Sequence, residues 1–190
     1  MSKHNQRLAI VGIFAVFLLP VTLALLLRVN AVSLNTVNFG ELLEPPRELS
    51  AQGLTLDHAL APQQPLFEDV WTVLILAPEG CAQACISVLD GTRQARTAVN
   101  KDYDRVLRLL VTPAPLTRNV REELLDNHPD LALAHAKPAW MRSINALKAP
   151  VPSVWLIDPR SFQFMSYPAP LEAGYLLKDL KRLLKISKVG

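Results

Sequence analysis

Hydrophobic residues fall along this chain in three kinds of block. The first is an unbroken run, Leu8 to Leu27 (LAIVGIFAVFLLPVTLALLL), 20 residues without a charge. The second kind is short and continuous: Trp71 to Ala77 (WTVLILA), Arg105 to Val111 (RVLRLLV) and Val154 to Ile157 (VWLI). Such runs predict strands covered on both faces. The third kind has helical spacing: Leu176, Leu180, Leu183 and Leu184 fall at i, i+4, i+7 and i+8, with Lys178, Lys181, Arg182 and Lys185 forming a basic face.

Between these blocks, Pro78-Glu79-Gly80 ends the first strand and a helical stretch follows from about Cys81 to Asn100. Asn119 is placed to cap a short helix through Asp126, with Glu122 three residues on as in a capping box. A further short helix is expected over Pro138–Ala146. Asp158-Pro159-Arg160-Ser161 turns the third strand into a fourth, Phe162 to Tyr167, and a last helix starts near Leu171. Residues 30–69, with Pro45-Pro46, Gly53, Pro62 and Pro65, read as a linker followed by short strands or turns. The order strand, helix, strand, helix, hairpin, helix predicts an α/β fold, a mixed sheet with helices on both faces.

A helix of 20 residues spans about 30 Å, the thickness of a bilayer's hydrocarbon core. A cleaved signal peptide is the competing reading of the first block. Its apolar region runs to only about 7–15 residues before a small-x-small site, and Arg28-Val29-Asn30-Ala31 makes a poor one. Lys3 and Arg7 precede the run, and after Arg28 no basic residue appears until Arg47. The positive-inside rule therefore puts the N-terminus in the cytoplasm and the rest outside it. In a bacterium that is the periplasm, where disulfides persist. The expected organisation is a cytoplasmic N-terminus over residues 1–7 and a transmembrane helix over 8–29. A linker with an N-terminal extension follows over 30–65, and a folded periplasmic domain over 66–190.

Charge narrows the function. Of 20 lysines and arginines, Lys3, Arg7 and Arg28 lie in the first 29 residues, leaving 17 against 17 acidic residues in the remainder. A nucleic-acid binder carries a basic patch on its folded domain, so no nucleic-acid partner is expected. The stretch 41–79 is acidic and Lys178–Lys188 basic, so the two either pair in the fold or leave a dipolar surface. The basic face of the last helix is read either as solvated or as touching anionic lipid.

The chemistry centres on the only two cysteines, in Gly80-Cys81-Ala82-Gln83-Ala84-Cys85. They follow a buried strand and open a helix, where the positive end of the helix dipole favours a thiolate. In a helical first turn the i, i+4 spacing puts both sulfurs on one face. Thiol–disulfide exchange, Cu(I) capture by two soft thiolates and an inert structural disulfide all draw on this pair. The very small loop it closes argues against the structural reading. Glu79 is close by and the motif holds no Lys, Arg or His, so no neighbouring cation supports the thiolate. Trp71, Trp140 and Trp155 are read as core residues. His58 and His4 take no role.

A buried strand, a paired-cysteine helix, and then Val151-Pro152-Ser153-Val154-Trp155-Leu156-Ile157-Asp158-Pro159 with a hairpin resemble the thioredoxin superfamily. That resemblance implies a cis Val151–Pro152 bond and places Pro152 facing the cysteines. The Cys-x-x-x-Cys spacing and the Leu-Ile-Asp-Pro hairpin are closer to the Sco/SenC branch, membrane-anchored copper proteins of cytochrome c oxidase assembly. Thr92-Arg93-Gln94-Ala95-Arg96 through Asp104-Arg105-Val106, and the terminal Lys178-Asp179-Leu180-Lys181-Arg182-Leu183-Leu184-Lys185, resemble proteobacterial membrane proteins encoded beside oxidase assembly factors. The resemblance covers most of residues 36–190. Sco proteins complete a copper site with a histidine in the loop before the Leu-Ile-Asp-Pro strand, whereas that loop here, Lys148-Ala149-Pro150-Val151-Pro152, holds none. His135 and His128 are the remaining third-ligand candidates, against a plainer role as surface or capping residues.

The expectation is therefore a single-pass, thioredoxin-like factor of cytochrome c oxidase biogenesis in the bacterial inner membrane. It acts through Cys81 and Cys85 by thiol–disulfide exchange or by Cu(I) handling. Its expected partners are oxidase subunits or other assembly factors. The alternative is a non-catalytic scaffold whose cysteines are structural.

Overall fold

The computed structural model describes residues 14–23, 38–58, 66–144 and 152–187. The chain divides into two compact units, Met1–Val37 and Asn38–Gly190. In the first, residues 14–23 are helical (α1) with exposed side chains. Among the described residues no helix is long and apolar enough to cross a membrane. The remainder of the predicted span, residues 8–13 and 24–29, lies outside them.

The second unit is built on a seven-stranded sheet. In chain order its elements are β1 (Glu41–Glu48), β2 (Leu54–His58), β3 (Trp71–Leu76), α2 (Gln83–Thr97), a single 3-10 stretch (Asn100–Arg105), β4 (Val106–Thr112), α3 (Arg118–Asn127), β5 (Leu131–Ala136), α4 (Pro138–Ser143), β6 (Ser153–Ile157), β7 (Phe162–Tyr167) and α5 (Ala173–Ile186). The spatial order is β1-β7-β6-β3-β4-β5-β2. β3, β4 and β5 run parallel. β6 opposes β3, β7 opposes β6, and β1 and β2 close the two edges antiparallel to β7 and β5. The expected mixed sheet with helices on both faces is thus the observed one.

The continuous apolar strands sit where that pattern requires, since every residue of β3 and β6 is buried. Alternate residues of β3 feed two clusters, as the two-residue period of a strand dictates. Val73, Ile75 and Ala77 pack with Val88 and Leu89 of α2 and with Leu176, Leu180 and Leu184 of α5. Leu74 and Leu76 pack with Phe67, Trp140, Met141 and Trp155. All three tryptophans are core residues, at 6–7% exposure.

Several elements differ from the pattern-based reading. β5 (LALAHA) is a full core strand in a stretch where the hydrophobic pattern predicts no element. It is short and alanine-rich, and its pairing with β4 on one side and β2 on the other outweighs weak strand propensity. β1 tolerates Pro45-Pro46 because it is an edge strand with a register shift between Leu42 and Arg47. β1 and β2 join the same sheet as the elements after residue 66, so part of the N-terminal extension belongs to the fold. α3 is capped at Thr117, with no side-chain hydrogen bond, and so Asn119 lies inside it rather than at its cap.

The one acid of the basic stretch ties α5 to the start of the folded unit, just before the acidic stretch. Buried Asp179 of α5 accepts hydrogen bonds from the backbone N–H groups of Phe39 and Gly40, at 3.0 Å each, and from the Tyr167 hydroxyl at 3.0 Å. Burial, with Asp179 beside it, pushes the Tyr167 phenol far above its ordinary range.

Candidate functional site

The site lies where β3 gives way to α2. The Ala77 N–H still donates to Val111 O at 3.0 Å, and the Gly80 N–H closes a turn onto Ala77 O at 2.9 Å. Gly80 has φ +87°, a conformation that costs any side-chain-bearing residue, and an added Cβ would meet nothing within 4 Å. Its requirement for glycine is therefore one of backbone, not of space. Cys81 follows, then Ala82 in an extended conformation as the helix cap, then Gln83 as the first helical residue.

This refines the expected geometry. Cys81 does not open the helix but precedes its cap, while Cys85 occupies the first turn. The two are nevertheless within bonding reach, with Cα atoms 5.0 Å apart and the sulfurs joined in a disulfide. Cys85 is 2% exposed and belongs to the core cluster around α2. Cys81 packs against that cluster while remaining partly open to solvent. No side chain caps α2, and no acid stands in its first turn. Its free N–H groups therefore favour negative charge on sulfur once the disulfide is reduced.

Pro152 is buried and directly precedes Ser153, whose register partner across the antiparallel pair is Leu76. It therefore stands at the same end of the sheet as the loop that carries Cys81. The Val151–Pro152 bond, expected to be cis, involves Val151, which lies outside the described residues. Among the described residues the cis bonds are Glu44–Pro45 and Ala169–Pro170.

Both third-ligand candidates are engaged elsewhere. His135 is on β5, and its Nδ1 lies 3.0 Å from both carboxylate oxygens of Asp57. His128 is buried at the C-terminal cap of α3, with Nε2 3.8 Å from Asp90. Burial, reinforced by nearby Arg108, pulls His128 below its ordinary value, and Asp90 only partly offsets this. Among the described residues no group of three His, Cys, Asp or Glu side chains could hold a metal ion. The set Cys81, Cys85 and His135 is thus not assembled.

Behind the cysteine helix lies a buried ion network that sequence reasoning missed. Arg108 of β4 is fully buried and donates to Asp130 Oδ1 (2.9 Å), to the Thr92 hydroxyl and to Leu89 O (2.6 Å). Arg96 reaches the other oxygen of Asp130 at 3.0 Å, donates to Val106 O and stacks 3.5 Å from the Tyr103 ring centre. Burial alone would raise the Asp130 carboxyl, but the two guanidinium groups outweigh it and hold it below the usual range. The network ties α2 to β4 and to the turn before β5, fixing the helix that carries Cys85. The available signal was Arg108 itself, a charge inside the apolar run RVLRLLV.

Residues 71–187 match the family described as "Transmembrane-like, thioredoxin-like, C-terminal domain". No curated protein sequence matches the chain. Among solved structures, a DsbF homologue from Corynebacterium diphtheriae superposes with a TM-score of 0.54 at 11% identity, covering 80% of this chain and 96% of that one. ScoI of Arabidopsis thaliana with copper bound gives 0.52 at 14%, covering 64% and 87%. The thioredoxin domain of a Bacteroides vulgatus thiol-disulfide oxidoreductase gives 0.51 at 12%, covering 72% and 97%. At these identities the likeness establishes a thioredoxin-like fold.

Proposed function

The chain belongs to the transmembrane-like, thioredoxin-like C-terminal domain family, and from that premise we propose a membrane-anchored thiol–disulfide exchange factor of cytochrome c oxidase biogenesis. The observation that carries this reading is the asymmetric pair: an accessible Cys81 bridged to a buried Cys85 at an uncapped helix start. In the reduced form the Cys81 thiolate attacks one sulfur of a partner disulfide, and the partner's other sulfur leaves as a thiolate. Cys85 then attacks Cys81 Sγ, re-forming the Cys81–Cys85 bond and releasing the second partner thiolate. The partner gains two electrons and this chain loses two. An upstream dithiol of the same chemical class must return them. Pro152 lines the sheet end beside this exchange.

The same dithiol suits Cu(I) as cargo, since two soft thiolates fit that ion. Proposed partners are oxidase subunits whose copper-site cysteines must be reduced, or other assembly factors. In this reading residues 8–29 span the inner membrane of a bacterium once, the residues after them link the span to the folded unit, and that unit, Asn38–Gly190, works in the periplasm.

The test is a Cys81→Ser, Cys85→Ser double variant in the producing organism, read as cytochrome c oxidase activity in isolated membranes. Loss of oxidase with the variant still present at its normal level supports exchange or copper handling. Full oxidase activity would leave the fold acting as a scaffold with structural cysteines.

A further inference from the structure

On one face of α5, Tyr175, Lys178, Lys181, Arg182, Lys185 and Ile186 are all exposed. At 100° per residue they occupy one continuous arc opposite buried Leu176, Leu180 and Leu184. Apolar Tyr175 and Ile186, the latter 76% exposed, lie together at one margin of the basic residues. Phe39 extends the arc: its ring stacks on Tyr175 at 4.7 Å, and Lys178 Nζ lies 4.7 Å from the Phe39 centroid. Exposed rings beside lysines form the composition of a surface seated at a membrane interface.

With the anchor proposed above, the chain length between it and the folded unit bounds how far this face can lie from a bilayer. Asp179 of α5 holds the N–H groups of Phe39 and Gly40, the point where the chain enters its folded unit from the apolar run ending at Leu27. From Arg28 to Asn38 is eleven residues, which reach at most about 40 Å when fully extended.

We propose that the α5 face, with Phe39, docks on the anionic phospholipid surface of the membrane in which the chain is anchored. Docking would present the remainder of the folded unit at a set orientation to membrane-embedded partners. The inference rests on the anchor proposed above.

The full chain with Tyr175→Trp, reconstituted into vesicles with brominated acyl chains, tests it. In vesicles with about one third phosphatidylglycerol, the added tryptophan emission should be quenched by roughly half, and about 0.5 M NaCl should largely restore it. A Lys178→Gln, Lys181→Gln, Lys185→Gln background should abolish the quenching, as should pure phosphatidylcholine. Absence of quenching in the anionic vesicles, or equal quenching in every arm, overturns the proposal. Sedimentation of the vesicles in high salt separates this from the anchor. Protein that stays with the vesicles without quenching refutes docking alone, whereas protein that washes off refutes the anchor.

Discussion

Cys81 and Cys85 are bridged across the start of α2 yet sit in opposite surroundings, with Cα atoms 5.0 Å apart. The helix cap at Ala82 lies between them. Cys85 is held in the core, so its position is set by packing, while Cys81 rides on the Gly80 turn. An attacking and a resolving thiol need that division: one must meet a partner, and the other must wait beneath it.

That asymmetry sets relative reactivity. In the reduced full chain, pulse alkylation should modify Cys81 faster than Cys85, on the order of tenfold, because access and thiolate character both favour it. Mass spectrometry of the two labelled peptides reads the ratio. Equal or reversed rates would assign attack to the wrong residue.

Removing the Asp179 carboxylate should loosen the entry of the chain into the fold. Asp179→Ala strips the acceptor from Phe39 N–H, Gly40 N–H and the Tyr167 hydroxyl, leaving buried donors unpaired. The expected cost is about 3 kcal/mol in urea unfolding, with faster amide exchange over residues 38–48. A loss below about 0.5 kcal/mol would show that water replaces the carboxylate there.

Acid should weaken the fold in two separate windows. His128 has a depressed pKa when folded, so its contribution is present above about pH 6.5 and fades as pH falls below that. Asp130 is also depressed, and its contribution is present above about pH 3.9 and lost below it. Urea midpoints measured from pH 7 to 5 should fall less steeply in His128→Gln than in the parent. Asp130→Asn should flatten only the drop below about pH 4. A parent midpoint that does not fall between pH 7 and 5 would contradict the His128 account.

Copper should follow sulfur alone. The reduced chain is expected to bind Cu(I) and to bind Cu(II) poorly, with His135→Ala leaving both unchanged, because Asp57 already engages that ring. Competition with a chromogenic Cu(I) chelator measures this. Tight Cu(II) binding that vanishes in His135→Ala would reinstate a three-ligand site.

The parts legible in the sequence were those whose signal is local. β3 is continuous, apolar and rich in β-branched residues, and Gly80 with the two cysteines marks the turn after it. β5 was not legible because alanine and a lone histidine carry no strand signal, so its identity comes from the strands beside it. The placement of His135 was illegible with it. The role of Arg108 was not legible because its partner Asp130 lies 22 positions away, beyond any helical or strand period. The helix boundary after Cys81 turned on the backbone of Gly80 and Ala82, which residue type alone underdetermines.

The central claim is that the Cys81–Cys85 bond is a working redox couple, and equilibrium titration of the full chain in thiol–disulfide buffers tests it most directly. The account predicts reversible two-electron reduction with the fold retained, at a midpoint of about −120 to −270 mV, where exchange-active pairs lie. A midpoint below about −300 mV, or unfolding on reduction, would mark the bond as structural and contradict it.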